Sequence, residues 1–245
     1  MGKTIGILGG MGPEATVYLF NRIIKSTESA TDQEHIKTII HNNPEIPDRT
    51  EAILYDGESP LDALLEGAQN LERAGAHFIL MPCVTAHHFY NQHIDRLKQE
   101  LSIPLIHMLE IVLDHIRHHP AGLKRIGIMA TSGTIKTHLF QNLLEEAGLE
   151  MVSPDETGQE MFMEAVYGKA GVKAGYFKEP KQLLMRVARQ LRRQNAQAVI
   201  AGCTEIPLVL DRGDFPDAIY INPLQLLAEE GIKRAGYKIK RGTNG

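Results

Sequence analysis

The sequence has few cysteines and aromatic residues, and it lacks an excess of positive charge. Its 245 residues include two cysteines and no tryptophan, and aromatic residues make up 6% of the chain. The formal net charge of −4 provides no basic surface that would favour nucleic acid or an anionic membrane. No apolar run approaches the ~18 residues that a membrane-spanning helix needs. We therefore expect neither nucleic acid nor a membrane as a partner.

The first residues of the chain and its two thiols bear on the cellular compartment. Residues 1–4 lead directly into a predicted strand, without the pattern of a signal peptide. Two cysteines outside a secretory context are typical of a reducing cytoplasm, where thiols stay free. We therefore expect a cytoplasmic protein in which Cys83 and Cys203 form no structural disulfide.

Predicted strands and helices alternate along the whole chain. They include a helix over about residues 88–100 and another that follows the turn at 131–134 and extends to about residue 147. This alternation is typical of parallel sheets in an α/β fold. The pattern restarts at Ile126, 121 positions after the first strand residue Ile5 (126 minus 5), and Cys203 follows Cys83 by 120 positions (203 minus 83). Two nearly equal offsets indicate a duplicated half. We predict two pseudo-symmetric domains, each a three-layer α/β sandwich with a parallel sheet, and an active site in the cleft between them.

Each of the two cysteines follows an apolar run that predicts a buried strand. Cys83 comes shortly after residues 77–80, and Cys203 comes shortly after residues 198–201. Ligands of open α/β sheets lie beyond the carboxyl ends of the strands, where both cysteines are expected. The simplest interpretation of a buried cysteine is a small core side chain, and this alternative remains open.

Acid–base chemistry is the functional alternative for the two thiols. A metal site needs more ligands at short spacing than the segments around Cys83 and Cys203 provide. A thiol near a helix N-terminus has a lowered pKa and can act as a base. Two thiols on opposite faces of one carbon can remove a proton from one side and return a proton to the other. Racemisation of an amino acid without a cofactor requires this arrangement.

A glycine-rich turn follows the first predicted strand. Gly10, Gly12 and Ala15 loosely match the dinucleotide-binding fingerprint. That fingerprint needs an acidic residue at the end of the second strand, but this strand ends in His-Asn-Asn at 41–43, and Asp32 precedes it. We therefore expect no cofactor. Backbone donors at the start of the following helix, which can hold a small carboxylate, are a better interpretation than a plain turn.

Several charged and polar side chains allow two interpretations each. Arg49, placed in a predicted extended loop, could bind a carboxylate with both arms of its guanidinium, although a solvated charge is the simpler interpretation. Lys169 and Lys173 lie in a glycine-flanked loop and are either surface charges or a mobile anion clamp. His87 is expected to bond either to the backbone or to a substrate.

Six motifs are spread over nearly the whole chain, and the two that contain cysteine are specific in combination. The six motifs are residues 5–13 (IGILGGMGP), 42–44 (NNP), 46–49 (IPDR), 81–83 (MPC), 85–87 (TAH) and 202–205 (GCTE). Together they resemble the aspartate racemase branch of the aspartate/glutamate racemase family. The resemblance implies a cofactor-independent enzyme, usually a homodimer, in which Cys83 and Cys203 are the paired acid and base. It also implies that the C-terminal helix closes the first domain, which would comprise residues 1–108 and 222–245, with residues 109–221 as the second.

The resemblance also implies a set of substrate contacts. The loop lysine of the family matches Lys173 better than Lys169. The family has asparagine directly after the first cysteine, where this chain has Val84. The implied substrate-binding residues are Met11, Arg49, Val84, Thr85, Thr131, Ser132, Gly133, Thr134, Lys173, Thr204 and Glu205.

Two positions bear on the substrate and on activity. Glutamate racemases tend to carry Cys-Thr-His at the second cysteine, whereas Glu205 follows Thr204 here, which favours aspartate or a broad range of amino acids. Val84 offers no hydrogen bond, and losing such a contact typically costs ~1–3 kcal/mol. We predict an amino-acid racemase acting on aspartate, glutamate or a related amino acid. The alternatives are a catalytically silent amino-acid-binding protein and a related isomerase or hydantoin racemase.

Overall fold

The computed structural model describes residues 2–240, which form two compact units. The first unit comprises residues up to Met108 together with those from Leu224 onward, and the second unit is Leu109–Pro223. Each unit is built on its own parallel sheet. The expected division into domains of residues 1–108 with 222–245 and of residues 109–221 stays a prediction.

The first unit contains a four-stranded parallel sheet in the order β2-β1-β3-β4. Every residue of the central strand β1 is buried, as expected where helices cover both faces of a sheet. The strands are β1 Ile5–Gly9, β2 Thr38–Asn42, β3 Phe78–Leu80 and β4 Leu105–Ile106. The helices are α1 Pro13–Ser26, α2 Arg49–Leu54, α3 Leu61–Arg73, α4 Ala86–Gln92, α5 Ile94–Glu100 and, at the end of the chain, α11 Pro223–Arg234.

The C-terminal helix α11 and the residues after it are joined to the first unit by hydrogen bonds to a residue just before β1 and to the last residue of α1. The backbone N–H of Lys3 donates to the carbonyl of Ala235 at 3.0 Å. The Gln225 amide donates to Ser26 Oγ at 3.3 Å. These bonds tie the end of the described chain to its beginning, so the first unit is discontinuous in sequence.

The second unit repeats this topology with the strand order β6-β5-β7-β8. Its core packs the helices that precede β7 against that strand and includes the fully buried Phe162, Leu184 and Leu191. The predicted α/β fold with two parallel sheets is therefore confirmed. The strands are β5 Arg125–Met129, β6 Glu150–Val152, β7 Ala198–Ala201 and β8 Ile219–Ile221. The helices are α6 Met108–Arg117, α7 Ser132–Lys136, α8 Leu139–Glu146, α9 Glu156–Tyr167 and α10 Lys178–Arg193.

The segment after β2 differs from the extended loop that its prolines predicted. The chain instead forms α2, which begins at Arg49. The Asp48 carboxylate caps this helix, because its Oδ1 accepts from the backbone N–H of Thr50 at 2.7 Å and of Glu51 at 3.0 Å. Aspartate is a preferred N-cap residue, so Asp48 was the available signal for this helix.

Two helices that were predicted as continuous are each broken once. The helix predicted over 88–100 divides at His93, whose backbone N–H is shared between the carbonyls of Phe89 and Tyr90 at 3.1 and 3.3 Å. The helix predicted to extend to about residue 147 divides after α7. There the Thr137 hydroxyl lies 3.0 Å from the Gly133 carbonyl, and His138 has a left-handed φ of 54°. A threonine hydroxyl that bonds back to the preceding turn competes with helix continuation.

Candidate active site

The candidate residues other than Arg49 and Lys173 lie at the carboxyl ends of the two central strands of each sheet. In the first unit, β1 leads into the Met11 turn (residues 10–12) and its neighbour β3 into the Cys83 loop (residues 81–87). In the second unit, β5 leads into the Thr131 turn (residues 131–134) and its neighbour β7 into the Cys203 loop (residues 202–205). The strand order makes the gap between these central strands the topological switch point, where open α/β sheets bind their ligands. Each unit therefore places one cysteine at its own switch point.

The Met11 turn requires glycine at its first position. Gly10 has a φ of 101°, and a Cβ atom there would lie 2.1 Å from the carbonyl oxygen of Asn43. Only glycine combines this backbone conformation with so close an approach. Pro13 then begins α1, where its missing N–H costs no helical hydrogen bond. The turn holds the buried Met11 side chain next to the start of this helix.

Arg49 is a buried residue that holds the Met11 turn in place. Its Nη1 donates to the carbonyls of Ile46 and Pro47 at 3.1 and 2.9 Å, and its Nη2 donates to the carbonyl of Met11 at 3.2 Å. The interpretation of Arg49 as a solvated loop charge is therefore wrong, because the residue begins a helix and its side chain is buried. Hydrogen bonds to three carbonyls offset the cost of burying its charge.

The Cys83 loop is held by a histidine whose ring is uncharged near neutral pH. The His87 ring is fully buried, with Nδ1 2.8 Å from the carbonyl oxygen of Cys83. Its Nε2 accepts from the backbone N–H of Met108 at 3.1 Å. An amide N–H can only donate, so Nε2 is the unprotonated nitrogen and Nδ1–H donates to Cys83. Of the two interpretations of His87, the structure shows the backbone bond.

The protonation of His87 follows from its surroundings. Burial and the nearby His107 ring lower the pKa of His87 from its ordinary 6.5 to about 3. The rings of His87 and His107 meet edge-on with centroids 4.9 Å apart. Hydrogen bonding to the backbone opposes this shift but does not outweigh it. His87 thus positions the loop as a neutral clamp.

The cysteine of the first unit is a buried free thiol among short side chains. Cys83, Val84 and Thr85 are all buried, with 5, 2 and 7% of their surface exposed. Thr85 occupies the N-cap position of α4. Val84 places an apolar side chain where the family resemblance implies an amide.

The Thr131 turn is fixed by hydroxyl groups and by a glutamine that the sequence did not single out. Thr131 caps α7, because its Oγ1 accepts from the backbone N–H of Thr134 at 3.2 Å. The Gln159 amide donates to the Ala130 carbonyl at 3.0 Å and to Ser132 Oγ at 3.1 Å. Gln159 lies on α9, 27 residues after Ser132, so no local sequence signal could have identified this contact.

The Cys203 loop packs closely against the end of β5. A Cβ atom at Gly202 would lie 2.9 Å from the Met129 carbonyl oxygen and 3.0 Å from Ala130 Cβ. Glycine at this position therefore lets the loop approach the strand that carries the Thr131 turn. Cys203 follows directly and is buried as a free thiol.

Three polar side chains form a hydrogen-bonded chain in the second unit. Cys203 Sγ donates to Glu205 Oε2 at 2.9 Å, and Lys173 Nζ donates to Glu205 Oε1 at 2.7 Å. The Thr204 hydroxyl lies 3.4 Å from Glu205 Oε2. The Glu205 side chain is 5% exposed and that of Lys173 is 24% exposed. The Lys173 ammonium group thus balances the charge of the buried Glu205 carboxylate, and the Cys203 thiol donates a hydrogen bond to it.

These contacts set the charges of the resting site. Burial, followed by the negative charge of Glu205, raises the pKa of Cys203 well above its ordinary value, and Lys173 offsets only part of this increase. Burial alone would raise the pKa of Glu205, but the Lys173 charge and the hydrogen bonds from Cys203 and Lys173 together hold it below its ordinary value. The expected lowering of the thiol pKa is therefore wrong for Cys203, since burial and a carboxylate dominate.

The structure distinguishes the two lysines of the glycine-flanked loop. Lys173 lies in the 3-10 turn Val172–Ala174 and pairs with Glu205. Lys169 is exposed. The Lys173 ammonium also lies 5.3 Å from the centre of the Tyr167 ring, a residue that the sequence did not indicate. Lys173 is therefore the lysine that belongs to the Cys203 site.

The described residues 2–240 contain neither a candidate metal cluster nor a helix suited to spanning a membrane. No group of three or more His, Cys, Asp or Glu side chains within that range is arranged to hold a metal ion. None of the helices described there combines the length and the apolar character needed to cross a bilayer.

The protein has a duplicated architecture: its two α/β units share the same strand order, and each has a cysteine at its switch point. A family model described as Asp/Glu/Hydantoin racemase matches residues 8–230. The chain belongs to this family, which confirms the resemblance seen in the sequence motifs. The identification rests on a match over most of the chain, beyond the cysteine motifs themselves.

Individual relatives agree with this assignment. The chain is 30% identical over 213 residues to the broad specificity amino-acid racemase RacX of Bacillus subtilis, covering 84% of this chain and 87% of that protein. An aspartate racemase of Picrophilus torridus has a similar structure, with a TM-score of 0.82, 27% identity and coverage of 98% of this chain and 97% of that one. An aspartate racemase homologue from Pyrococcus horikoshii shares the fold, with a TM-score of 0.72 at 24% identity over 96% of this chain and all of that one (100%).

Proposed function

We propose that this protein is a cofactor-independent amino-acid racemase that uses Cys83 and Cys203 as acid and base. Family membership supports a racemase, and the names of its relatives favour aspartate or a broad range of amino acids. The observation that carries the proposal is the placement of the two cysteines of the chain. Each is a buried free thiol at the switch point of one of two sheets with the same strand order.

In the proposed reaction, one thiolate removes the proton from Cα of the bound amino acid. The C–H bond breaks, an S–H bond forms, and the electron pair stays on the substrate as an enolate-like carbanion. The thiol of the other cysteine then gives its proton to the opposite face of Cα. Cys83 and Cys203 exchange these roles when the reaction runs in the other direction.

The remaining candidate residues are proposed to bind the substrate and its developing charge. Thr85, Thr204 and the backbone N–H groups of the two turns are candidate donors to the α-carboxylate. Lys173 is a candidate partner for a second carboxylate. Arg49 would have to keep or exchange its bonds to the three carbonyls when it contacts a carboxylate.

Exchange of the Cα proton in heavy water tests the proposal most directly. Proton NMR on a panel of L- and D-amino acids, with aspartate, glutamate and a hydantoin included, requires no guess about the product. Exchange with loss of optical activity is the expected result and also identifies the substrate. Exchange without inversion would show that one thiol works alone. A folded protein that exchanges no compound of the panel would overturn the racemase proposal.

Val84 favours a second candidate, a catalytically silent amino-acid-binding protein. Its buried apolar side chain lies where the family resemblance implies a hydrogen-bonding amide. A protein of this kind would bind aspartate or a related amino acid, and calorimetry would measure that binding. It would not exchange the proton at Cα.

Two further proposals concern the protein as a whole. The resemblance implies a homodimer, which light scattering in solution can test. The cysteine content favours the cytoplasm, which fractionation of cells that express the protein can test.

A further inference from the structure

Glu205 contacts the thiol proton and the ammonium group at the same time. One carboxylate oxygen, Oε2, accepts from Cys203 Sγ at 2.9 Å, and the other, Oε1, accepts from Lys173 Nζ at 2.7 Å. The carboxylate is therefore in position to take the proton of Cys203 without any movement of the backbone. A group placed only to contact substrate would not need its second oxygen on the thiol.

We propose that Glu205 is the acceptor of the Cys203 proton, so that this thiol becomes a base by passing its proton to the carboxylate and not to solvent. The S–H bond breaks and its electron pair stays on sulfur, while an O–H bond forms on Oε2. The reverse transfer restores the thiol. This inference deepens the proposed racemase function and rests on it.

The charge balance of the three groups favours this internal transfer. Before the transfer, Cys203 is neutral, Glu205 is negative and Lys173 is positive. After the transfer, the negative charge lies on sulfur and the sum is still zero. Loss of the same proton to solvent would leave an excess negative charge in a buried site, which is costly in a low dielectric. The raised pKa of Cys203 and the lowered pKa of Glu205 keep the proton on sulfur in the resting site. The transfer to Oε2 therefore belongs to the reacting complex, and the hydrogen bond of 2.9 Å supplies its path.

The first unit supplies no carboxylate at the matching position. Counting two residues from each cysteine gives Glu205 in the second unit and Thr85 in the first. The proposed acceptor therefore serves one thiol of the pair. Because it acts on the substrate only through Cys203, Glu205 is a positioning residue in this scheme.

A titration of the Cys203 thiol tests the coupling without any need for activity. The chain has two cysteines, so Cys83→Ser leaves Cys203 as the single thiol. Thiolate absorbance against pH is then compared among C83S, C83S/E205Q and C83S/K173M. The charged groups that act on Cys203 are Glu205 from its own loop and Lys173 from the neighbouring 3-10 turn. Removing Glu205 should move the midpoint down by about one pH unit, a tenfold rise in thiolate fraction below the midpoint. Removing Lys173 should move it up.

Exchange at Cα then separates a proton acceptor from a mere electrostatic neighbour. In C83S, Cys203 is the base that remains, and exchange of one enantiomer in heavy water reports on it. If Glu205 accepts the proton, C83S/E205Q should exchange at least tenfold more slowly than C83S although its thiolate fraction is higher. In the matched pair C203S and C203S/E205Q, Cys83 is the remaining thiol, so any loss of exchange of the other enantiomer measures what Glu205 contributes through substrate binding. The loss between C83S and C83S/E205Q should exceed that loss at least tenfold.

The outcomes separate this inference from the racemase proposal. A Cys203 midpoint that Glu205→Gln leaves unchanged would overturn the inference, whether or not the protein racemises anything. Faster exchange in C83S/E205Q, in step with thiolate fraction, would also overturn it. Absence of exchange in C83S and C203S alike would count against the racemase proposal, and the titration alone would then decide for or against the coupling of Glu205 to the thiol.

Discussion

The loops that carry Cys83 and Cys203 follow equivalent strands of two similar sheets, yet different interactions hold them in place. The Cys83 loop is fixed through its backbone, by a neutral histidine that bonds to the cysteine carbonyl. The Cys203 loop is fixed through the thiol itself, by a buried carboxylate paired with a lysine. One topology thus supports a neutral network in one unit and a charged network in the other. Two thiols in matching positions need not be chemically equivalent, and the predictions below test how far they differ.

Removing either thiol should have the largest effect. Cys83→Ala and Cys203→Ala should each lower the rate of racemisation by about 10³-fold or more, since each variant lacks one partner of the acid–base pair. Polarimetry on the substrate found by proton exchange measures this rate. Each variant should keep exchange of one enantiomer only, and the enantiomer should differ between the two.

The control for these cysteine variants is their thermal unfolding, because both thiols are buried. A loss of activity that follows a loss of folded protein would not support the mechanism. If either variant kept wild-type racemisation, the two-thiol mechanism would be wrong.

The contribution of the uncharged His87 ring should be visible in the free energy of unfolding and in its dependence on pH. His87→Ala removes the partner of the Cys83 carbonyl and of the Met108 N–H, which should cost about 3 kcal/mol in the free energy of unfolding near pH 7. The pKa of His87 is about 3 in the folded state and 6.5 ordinarily, so the unfolded state binds more protons between these values. Wild-type stability should therefore fall with decreasing pH below 6.5, by up to about 1.4 kcal/mol per pH unit from this residue.

Denaturant unfolding of the wild type and His87→Ala at several pH values measures both effects. The stability advantage of the wild type over His87→Ala should shrink as the pH falls below 6.5 and vanish at about pH 4. His118, whose side chain is 77% exposed, provides a matched control, and His118→Ala should cost far less stability near pH 7 than His87→Ala. A constant difference between wild type and His87→Ala across this range would show that His87 does not titrate as described.

The charged network of the second unit consists of Cys203, Glu205 and Lys173. Its function should depend on Lys173 and not on Lys169, the other lysine of the same loop. Lys173→Met removes the positive charge beside Glu205 and should lower kcat/KM by about 10²-fold, because the carboxylate, the thiol and the bound substrate lose a common partner. Lys169→Met is the matched control on the same loop and should change kcat/KM less than twofold. Equal effects of the two substitutions would remove the special role assigned to Lys173.

The comparison of the two loops also shows which features could be predicted from sequence. Alternating apolar runs and the repeated offset were sufficient for two α/β halves, and the position after each strand was sufficient to place both cysteines at strand ends. These features depend on local periodicity and on the general topology of parallel sheets. The domain boundaries and the roles of the individual site residues stay predictions.

What could not be predicted depends on contacts between residues far apart in sequence. Glu205 and Lys173 are separated by 32 positions, and neither residue's neighbours indicate the pairing or the raised pKa of Cys203. The tautomer of His87 depends on a backbone N–H 21 residues away. Arg49 is a different case, since Asp48 marks a helix start that local reasoning could have found.

The smallest expected effect concerns the residue that follows each cysteine, Val84 in the first unit and Thr204 in the second. Val84→Asn places an amide in a buried site, and should cost about 1 kcal/mol of stability without ligand. If this position contacts the substrate, the new hydrogen bond should lower KM about tenfold, equivalent to about 1.4 kcal/mol. Val84→Thr is the near-isosteric control that makes the two loops alike, and it should lower KM less, because a hydroxyl reaches less far than an amide. Measuring KM and thermal unfolding with and without substrate separates these effects. An unchanged KM in both variants would place Val84 outside the substrate contacts and leave the difference between the loops to Glu205.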